Sequence, residues 1–207
     1  MNTKELYENK YELSGLNPSP YFPNQFNYIV RKYIQKNPLK ILDLGGGTGE
    51  YSVLLQKLNY DVTLFDFSEQ AIHRAKKIGV NSTICDDFLS YDFKNNKFDI
   101  VFVKGFSLLN TDDEKNFISL IERMKSILTS DGCIVYMGQT DLSRQWTDSG
   151  WYQLGKNEIK NYFTDYIIFP AFRYQLNLPL AVNQLFSKIL FKLKVLPKSM
   201  TLVGIVA

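Results

Sequence analysis

The chain has 207 residues, enough for one domain with a full core or for one domain carrying a small cap. Hydrophobic residues make up 45% and charged residues 22%, an ordinary globular composition, and a net charge of +3 without a concentrated basic stretch argues against a dedicated nucleic-acid binder. The start, MNTKELYENKYELSG, has no apolar signal-peptide core, and no run of about 18 apolar residues exists to span a bilayer, so a soluble, cytoplasmic protein is expected.

The segment 1–23 is rich in Tyr, Asn and Pro, with Asn17-Pro18-Ser19-Pro20 and Pro23 as breakers. Phe26, Ile29, Val30, Tyr33 and Ile34 then recur at helical spacing until Asn37-Pro38. From there strand and helix alternate. Lys40 to Leu44 predicts a strand and Glu50 to Leu58 a helix with Val53, Leu54 and Leu58 inward. Asp61 to Phe65 predicts a strand, and Ser68 to Ile78 a helix capped by Ser68, with Ala71, Ile72, Ala75 and Ile78 inward. Val80 to Cys85 and Phe98 to Val103 predict two more strands. Asp112 to Leu128 predicts a long helix burying Phe117, Leu120, Ile121, Met124 and Leu128. Asp131-Gly132 turns into a strand at Cys133 to Met137. Tyr166 to Phe172 and Thr201 to Val206 follow as strands, with a helix at Leu180 to Leu196 between them. Short apolar strands separated by helices form a parallel sheet covered on both faces, and right-handed crossovers make the doubly wound open sheet the leading architecture. Cys85 and Cys133 both fall in apolar strand segments and read as buried core thiols. Neither lies in Cys-x-x-Cys spacing and the chain has one histidine, so no metal site is expected.

The chemistry concentrates in Ile41-Leu42-Asp43-Leu44-Gly45-Gly46-Gly47-Thr48-Gly49-Glu50-Tyr51, a buried strand running into a glycine turn that opens a helix. Ligands of such sheets bind beyond the carboxyl ends of the strands. The dinucleotide spacing Gly-x-Gly-x-x-Gly fails, since its third glycine falls on Glu50 or Ser52, and a phosphate loop fails because Glu50 follows Gly49. Glu50 at a helix start repels a pyrophosphate, and Asp43 before the turn suits an ammonium group. S-adenosylmethionine (SAM) has an amino group and a sulfonium and no phosphate, and fits such a turn. Asp66, ending the next strand, stands where an acidic residue accepts from ribose hydroxyls.

From about Pro38 to Gly138 the chain resembles the class I SAM-dependent methyltransferases, a Rossmann-like family. The first motif is the closest match, and the resemblance implies that Asp43, Gly45, Gly46, Gly47 and Gly49 hold the methionine part of SAM. Val-Thr-Leu-Phe-Asp-Phe-Ser resembles the second motif, which implies Asp66 on the ribose and Phe67 beside the adenine. Ile-Cys-Asp-Asp-Phe resembles the third strand end and implies Asp87, or its neighbour Asp86, on the adenine amine and Phe88 against the ring. Phe-Asp-Ile-Val-Phe-Val-Lys-Gly resembles the fourth strand and implies Lys104 and Gly105 at the sulfonium end. The fifth-strand turn, usually Pro-Gly-Gly in this family, is here Ser130-Asp131-Gly132. The fold implied is a mostly parallel seven-stranded sheet with helices on both faces and an antiparallel last strand. Residues 1–37 would form a helical, aromatic cap, and 38–207 the SAM-binding domain with a helical insertion at about 179–198, a layout resembling methyltransferases of bacterial glycan and secondary-metabolite pathways. SAM is the cofactor implied and a small molecule the acceptor, methylated on oxygen or nitrogen. A nucleic-acid acceptor is disfavoured, because Lys104-Gly105-Phe106-Ser107 stands where amino-group enzymes of that kind carry Asn/Asp-Pro-Pro-aromatic. A non-catalytic SAM-binding protein is the other alternative.

Methyl transfer needs a base only when the acceptor must lose a proton. His73 lies off the apolar face of its helix, beside Arg74, Lys76 and Lys77, which argues against a histidine base. The catalytic candidates are Asn110 after the fourth strand, Asp141 after the fifth and Tyr152 in the following loop, with Gln139, Thr140 and Trp151 nearby. Tyr7, Tyr11, Tyr21 and Phe22 suit either a lid over the cofactor or packing of the first helix. Val182, Leu185, Phe186, Ile189, Leu190, Leu193 and Leu196 give the late helix an apolar face, with Lys188, Lys192, Lys194 and Lys198 alongside. Packing on the domain is the favoured reading over contact with an anionic membrane. Phe191, on the polar side, reads as a homodimer contact or a substrate wall.

Overall fold

A computed structural model describes residues 18, 22–34, 39–140, 152–170, 182, 189 and 200–206. The elements are α1 (Phe22–Tyr33), β1 (Lys40–Leu44), α2 (Glu50–Lys57), β2 (Asp61–Asp66), α3 (Glu69–Lys77), β3 (Ser82–Cys85), β4 (Phe98–Lys104), α4 (Glu114–Lys125), β5 (Leu128–Thr140), α5 (Lys156–Tyr162), β6 (Asp165–Pro170) and β7 (Met200–Val206). They build a 7-stranded sheet of order β3-β2-β1-β4-β5-β7-β6. The first five strands pair in parallel, and β7 runs antiparallel between β5 and β6. Strand order reverses between β1 and β4, and in open sheets that switch point is where ligands bind.

Strand alternation divides the core in two. Ile41, Ile100, Phe102, Cys133, Val135 and Met137 face α1 and α2, whereas Leu42, Leu44, Val101, Val103, Ile134 and Tyr136 face α4, α5 and the loop after β3. On the first face α1 buries Phe22, Phe26 and Val30, successive positions one helical turn apart. The Phe22 ring meets Tyr51 edge-on at 4.7 Å between centroids and lies 5.5 Å from Phe102. Phe22 therefore belongs to the core, and Pro23 sits in the first turn of α1, where a missing N–H costs nothing, instead of breaking the chain. Tyr7, Tyr11 and Tyr21 lie outside the described residues.

Several sequence expectations need correction. The fully buried residues of α2 are Tyr51, Ser52 and Leu55, because α1 packs on the side that carries Tyr51; Val53 and Leu54 pack against the core but stay partly exposed, and Leu58 only caps the helix. Ile78 is 46% exposed, since α3 ends just before it. Cys85 is exposed because β3 is the edge strand, while Cys133 on interior β5 is buried, and neither forms a disulfide. Burial raises the Cys133 thiol to about 12. The Ser130-Asp131-Gly132 segment lies within β5, where pairing jumps from Phe98↔Leu128 to Ile100↔Cys133. Asp99 braces that irregularity: its carboxylate accepts from the Lys40 N–H at 2.9 Å and the Thr129 hydroxyl at 3.2 Å. His73 is exposed and Ser68 caps α3, as expected. Of Leu180 to Leu196 only Val182 and Ile189 are described; both are helical, 37% and 43% exposed. Among the described residues no helix is long and apolar enough to cross a membrane.

Removing the Phe22 ring leaves a cavity between α1, Tyr51 and Phe102. Phe22→Ala should cost about 3–5 kcal/mol in urea unfolding. A loss under about 1 kcal/mol would mean that α1 adds little to the stability of the sheet.

Candidate functional site

Past the carboxyl end of β1 the chain makes a glycine turn that is stitched to β2. The N–H groups of Gly45 and Gly46 both reach the carbonyl of Phe65, at 2.8 and 3.3 Å. Gly45 has φ +70°, and a Cβ there would lie 2.5 Å from the Phe106 ring. At Gly46 an added Cβ would lie 2.9 Å from the Asp43 carboxyl carbon. Close packing of Phe106, Leu64 and Asp43 thus excludes a side chain at both positions.

Two acidic residues organise this turn. Asp66, buried at the end of β2, accepts the N–H of Gly47 at 2.9 Å with one oxygen and the N–H of Ser68 at 2.9 Å with the other. Ser68 in turn accepts the N–H of Ala71 at 3.1 Å, starting α3. Asp43, 2% exposed, accepts the Ser52 hydroxyl at 2.6 Å. Burial pushes Asp43 up to about 7; the Ser52 bond opposes this, the nearby Asp66 carboxylate adds to it, and Lys104 opposes it. Glu50, in the first turn of α2, accepts the Thr48 hydroxyl at 2.8 Å.

Lys104 ends β4 on the same face of the sheet as Asp43. Asp43 pairs with Phe102 across β1 and β4, and Lys104 lies two residues further along. Its ammonium sits 4.9 Å from the centre of the Tyr51 ring, a cation–π geometry. Burial lowers its proton affinity and Asp43 partly restores it. Gly105, exposed with φ +66°, turns the chain away.

At the end of β3, Asp86 and Asp87 are both exposed. Asp86 accepts the N–H of Asp87 at 2.7 Å, and Asp87 accepts that of Leu89 at 3.0 Å, so each has one carboxylate oxygen beyond these contacts. Phe67 is half-buried beside them, its carbonyl facing the Cys85 thiol at 3.9 Å. Phe88 requires a correction. It is 2% exposed, packed on Phe65, Phe93 and Phe106 with the Arg123 guanidinium 5.0 Å from its ring centre. With both sides covered, the ring is core and not a wall for adenine. Arg123 also donates to the carbonyls of Phe88 at 2.7 Å and Tyr91 at 2.9 Å, fixing this loop.

Asn110 follows β4 and accepts the backbone N–H of Tyr152, joining the β4 loop to the segment before α5. The Tyr152 hydroxyl donates to Glu158, which also accepts the N–H of Gly155 at 2.6 Å. Burial and the Glu158 carboxylate together raise the Tyr152 phenol to about 12. Asp141 and Trp151, and the side chains of Gln139 and Thr140, lie outside the described residues. Sequence reasoning missed Ser52, Tyr51, Phe106 and Glu158. A serine or tyrosine early in a helix and a phenylalanine after a strand carry no distinguishing pattern; their roles come from the neighbours that the fold supplies.

Residues 41–132 match the family model of a methyltransferase domain. Over this segment the chain is similar to methyltransferase domains. A probable S-adenosyl-L-methionine-dependent methyltransferase, TehB of Haemophilus influenzae (strain ATCC 51907 / DSM 11121 / KW20 / Rd), is 30% identical over 138 residues, covering 63% of this chain and 46% of its own length. The chain thus spans about half the length of the curated relatives it matches. Among solved structures, the DhpI–SAM–HEP complex superposes with a TM-score of 0.60 at 16% identity, covering 96% of this chain and 94% of that one. The plantazolicin methyltransferase BpumL in complex with SAH gives 0.59 at 19% identity, covering 97% and 88%. At these identities the structures establish the fold, the Rossmann-like methyltransferase sheet.

The buried carboxylate has a stability signature. Asp43 holds its proton up to about pH 7 in the native protein, against the ordinary aspartate value of 3.8 in the unfolded chain. The native state therefore binds more protons between those values, and stability from this group is full below the lower value and is lost as pH rises through the upper. Asp43→Asn should flatten the decline in urea-unfolding stability between about pH 4 and about pH 7. Parallel profiles for the parent and the variant would show instead that Asp43 is ionised throughout.

Proposed function

We propose that the chain transfers the methyl group of SAM to a small-molecule acceptor, a biosynthetic intermediate methylated on oxygen or nitrogen. The observation that carries this is the glycine turn held between two buried carboxylates, Asp43 and Asp66, at the switch point of the sheet, with Glu50 at the helix start repelling a pyrophosphate. In this reading Asp43 and the backbone of Gly45, Gly46, Gly47 and Gly49 take the methionine end of the cofactor. Asp66, which accepts the N–H groups of Gly47 and Ser68, takes the ribose hydroxyls in this reading. Phe67 lies beside the adenine and Asp87 accepts from its amine. The names of the structural neighbours, a plantazolicin methyltransferase and DhpI with HEP, support a small-molecule or peptide-derived acceptor.

When bound, the sulfonium supplies a methyl group that is already electrophilic. The protein's part is to align the acceptor and exclude water. Asn110 and Tyr152 close the side of the site beyond β4, tied together by the Asn110–Tyr152 hydrogen bond. With its phenol at about 12 and its hydroxyl committed to Glu158, Tyr152 positions the acceptor as a hydrogen-bonding wall and takes no proton near neutral pH.

Calorimetry on the full chain should show binding of SAM and of its product, S-adenosylhomocysteine (SAH), and none of NAD. Asp66→Ala, which removes both the ribose acceptor and the brace of the turn, should weaken SAH binding by at least roughly tenfold. Labelled methyl transfer from SAM should appear with members of a small-molecule panel and not with RNA or DNA. Binding of NAD in place of SAM and SAH would overturn the reading.

A further inference from the structure

Among the described residues the hydroxyl of Tyr136 on β5 has no hydrogen-bond partner, although the residue is only 8% exposed. A buried O–H without an acceptor is uncommon and costly. We propose that this hydroxyl donates to an uncharged oxygen of the methyl acceptor and selects for acceptors that carry one, a role that rests on the SAM reading above and extends it to the acceptor's chemical class.

Two strand glycines set the position of the group. Tyr136 leans along β5 toward its carboxyl end and lies over Gly138, where an added Cβ would collide with the phenol oxygen. Gly138 is one residue past Met137, which pairs with Lys104 at the end of β4, so the hydroxyl reaches the open end of the sheet. On β7, Gly204 pairs with Tyr136 and gives the same room to Phe163. The Phe163 ring stacks on Tyr136 at 5.4 Å between centroids, and Phe117 meets it edge-on at 6.3 Å. Neither glycine has a left-handed φ, so space and not backbone conformation calls for it. Glycine weakens a strand interior and marks a close approach. The ring is thus held on its flanks while its oxygen is left unmet.

The surroundings define the partner. Burial alone pushes the phenol up to about 12, with no charged group contributing, so it keeps its proton near neutral pH and offers a donor. A charged partner would enter this place without a counter-ion, which is costly. Leu108, Tyr152 and Tyr162 pack on the same core face and stay partly exposed, next to the loop that Asn110 ties to Tyr152. An acceptor with an apolar or aromatic body and a carbonyl, ether or hydroxyl oxygen matches both features.

Tyr136→Phe removes the oxygen and keeps the ring. In urea unfolding without ligand the variant should be at least as stable as the parent, because no partner within the protein is lost. A clear loss of stability overturns the inference by showing that the hydroxyl already serves the fold. Binding is read by ligand-observed NMR on the full chain loaded with SAH, using acetophenone, its oxygen-free counterpart ethylbenzene, and the anion benzoate. The parent should bind acetophenone roughly three- to tenfold more tightly than ethylbenzene. Benzoate should bind no better than ethylbenzene. In Tyr136→Phe the preference for acetophenone should vanish while SAH affinity, measured by calorimetry, stays that of the parent. A parent without the preference, or a variant that keeps it, overturns the inference and leaves the SAM reading intact. So does a preference for benzoate over acetophenone, which assigns the wall to an anion, or a matching fall in SAH affinity, which assigns the hydroxyl to the cofactor. A parent that binds no SAH overturns the SAM reading, and the role of Tyr136 falls with it.

Discussion

The Asp66 carboxylate bridges two backbone amides, Gly47 in the glycine turn and Ser68 at the start of α3, and the ligand end of the sheet depends on that bridge. Glycine turns lose more conformational entropy on ordering than any other loop, so such a turn needs fixed partners. Asp66 supplies one, and the Phe65 carbonyl supplies another by accepting from Gly45 and Gly46. A charge-assisted bond to a backbone N–H in a buried setting is stronger than a neutral one, which suits a single carboxylate to organising two segments. The same group is the acid proposed to meet the ribose. Structure and recognition draw on one side chain, so its substitution cannot affect only one of them.

Burial sets the character of the neighbouring carboxylate. Asp43 is as enclosed as Asp66, yet it accepts a single hydroxyl instead of two amides, and the desolvation it suffers is only partly offset. A carboxylate in that state gains from an arriving cation more than a well-solvated one does, because in the low local dielectric the pairing recovers charge stabilisation that water would otherwise supply. The sequence places an acid before the glycines; the enclosure by Leu64, the turn and Ser52 makes that acid a receptor for positive charge.

Strand-and-helix alternation and the glycine motif were legible because they depend on local periodicity and on side chains that are absent. Ser68 as a cap and the inward face of α4 follow from such signals, except that Leu128 belongs to β5, and the antiparallel final strand follows from the family resemblance. The failures have one physical origin: burial is decided by neighbours that no local pattern names. Cys85 lies in an apolar stretch, but its strand has only one neighbour in the sheet. Phe88 follows the expected acids, but Arg123, thirty-five residues away, stacks on its ring and draws it into the core. Val53 and Leu54 pack on the core only in part, because α1 selects the side of α2 bearing Tyr51. For the site, the backbone-lined part was visible, and the part built by Ser52, Tyr51 and Phe106 was not.

This difference tracks the architecture of the sheet. The cofactor half is made at the ends of β1, β2 and β4, central strands whose register is locked on both sides. A one-residue slip in any of them would send Asp43 or Lys104 to the opposite face, so the charges are placed by the same hydrogen-bond ladder that stabilises the core. The acceptor half gathers where β4 gives way to a short loop and where the chain returns before α5, positions joined by side chain-to-backbone bonds such as Asn110 to Tyr152. Loops fixed by a few such bonds can change sequence and shape without disturbing the ladder. The proposed nucleoside site is therefore held by the sheet's own ladder, whereas the proposed acceptor wall is held by side chain-to-backbone bonds between loops.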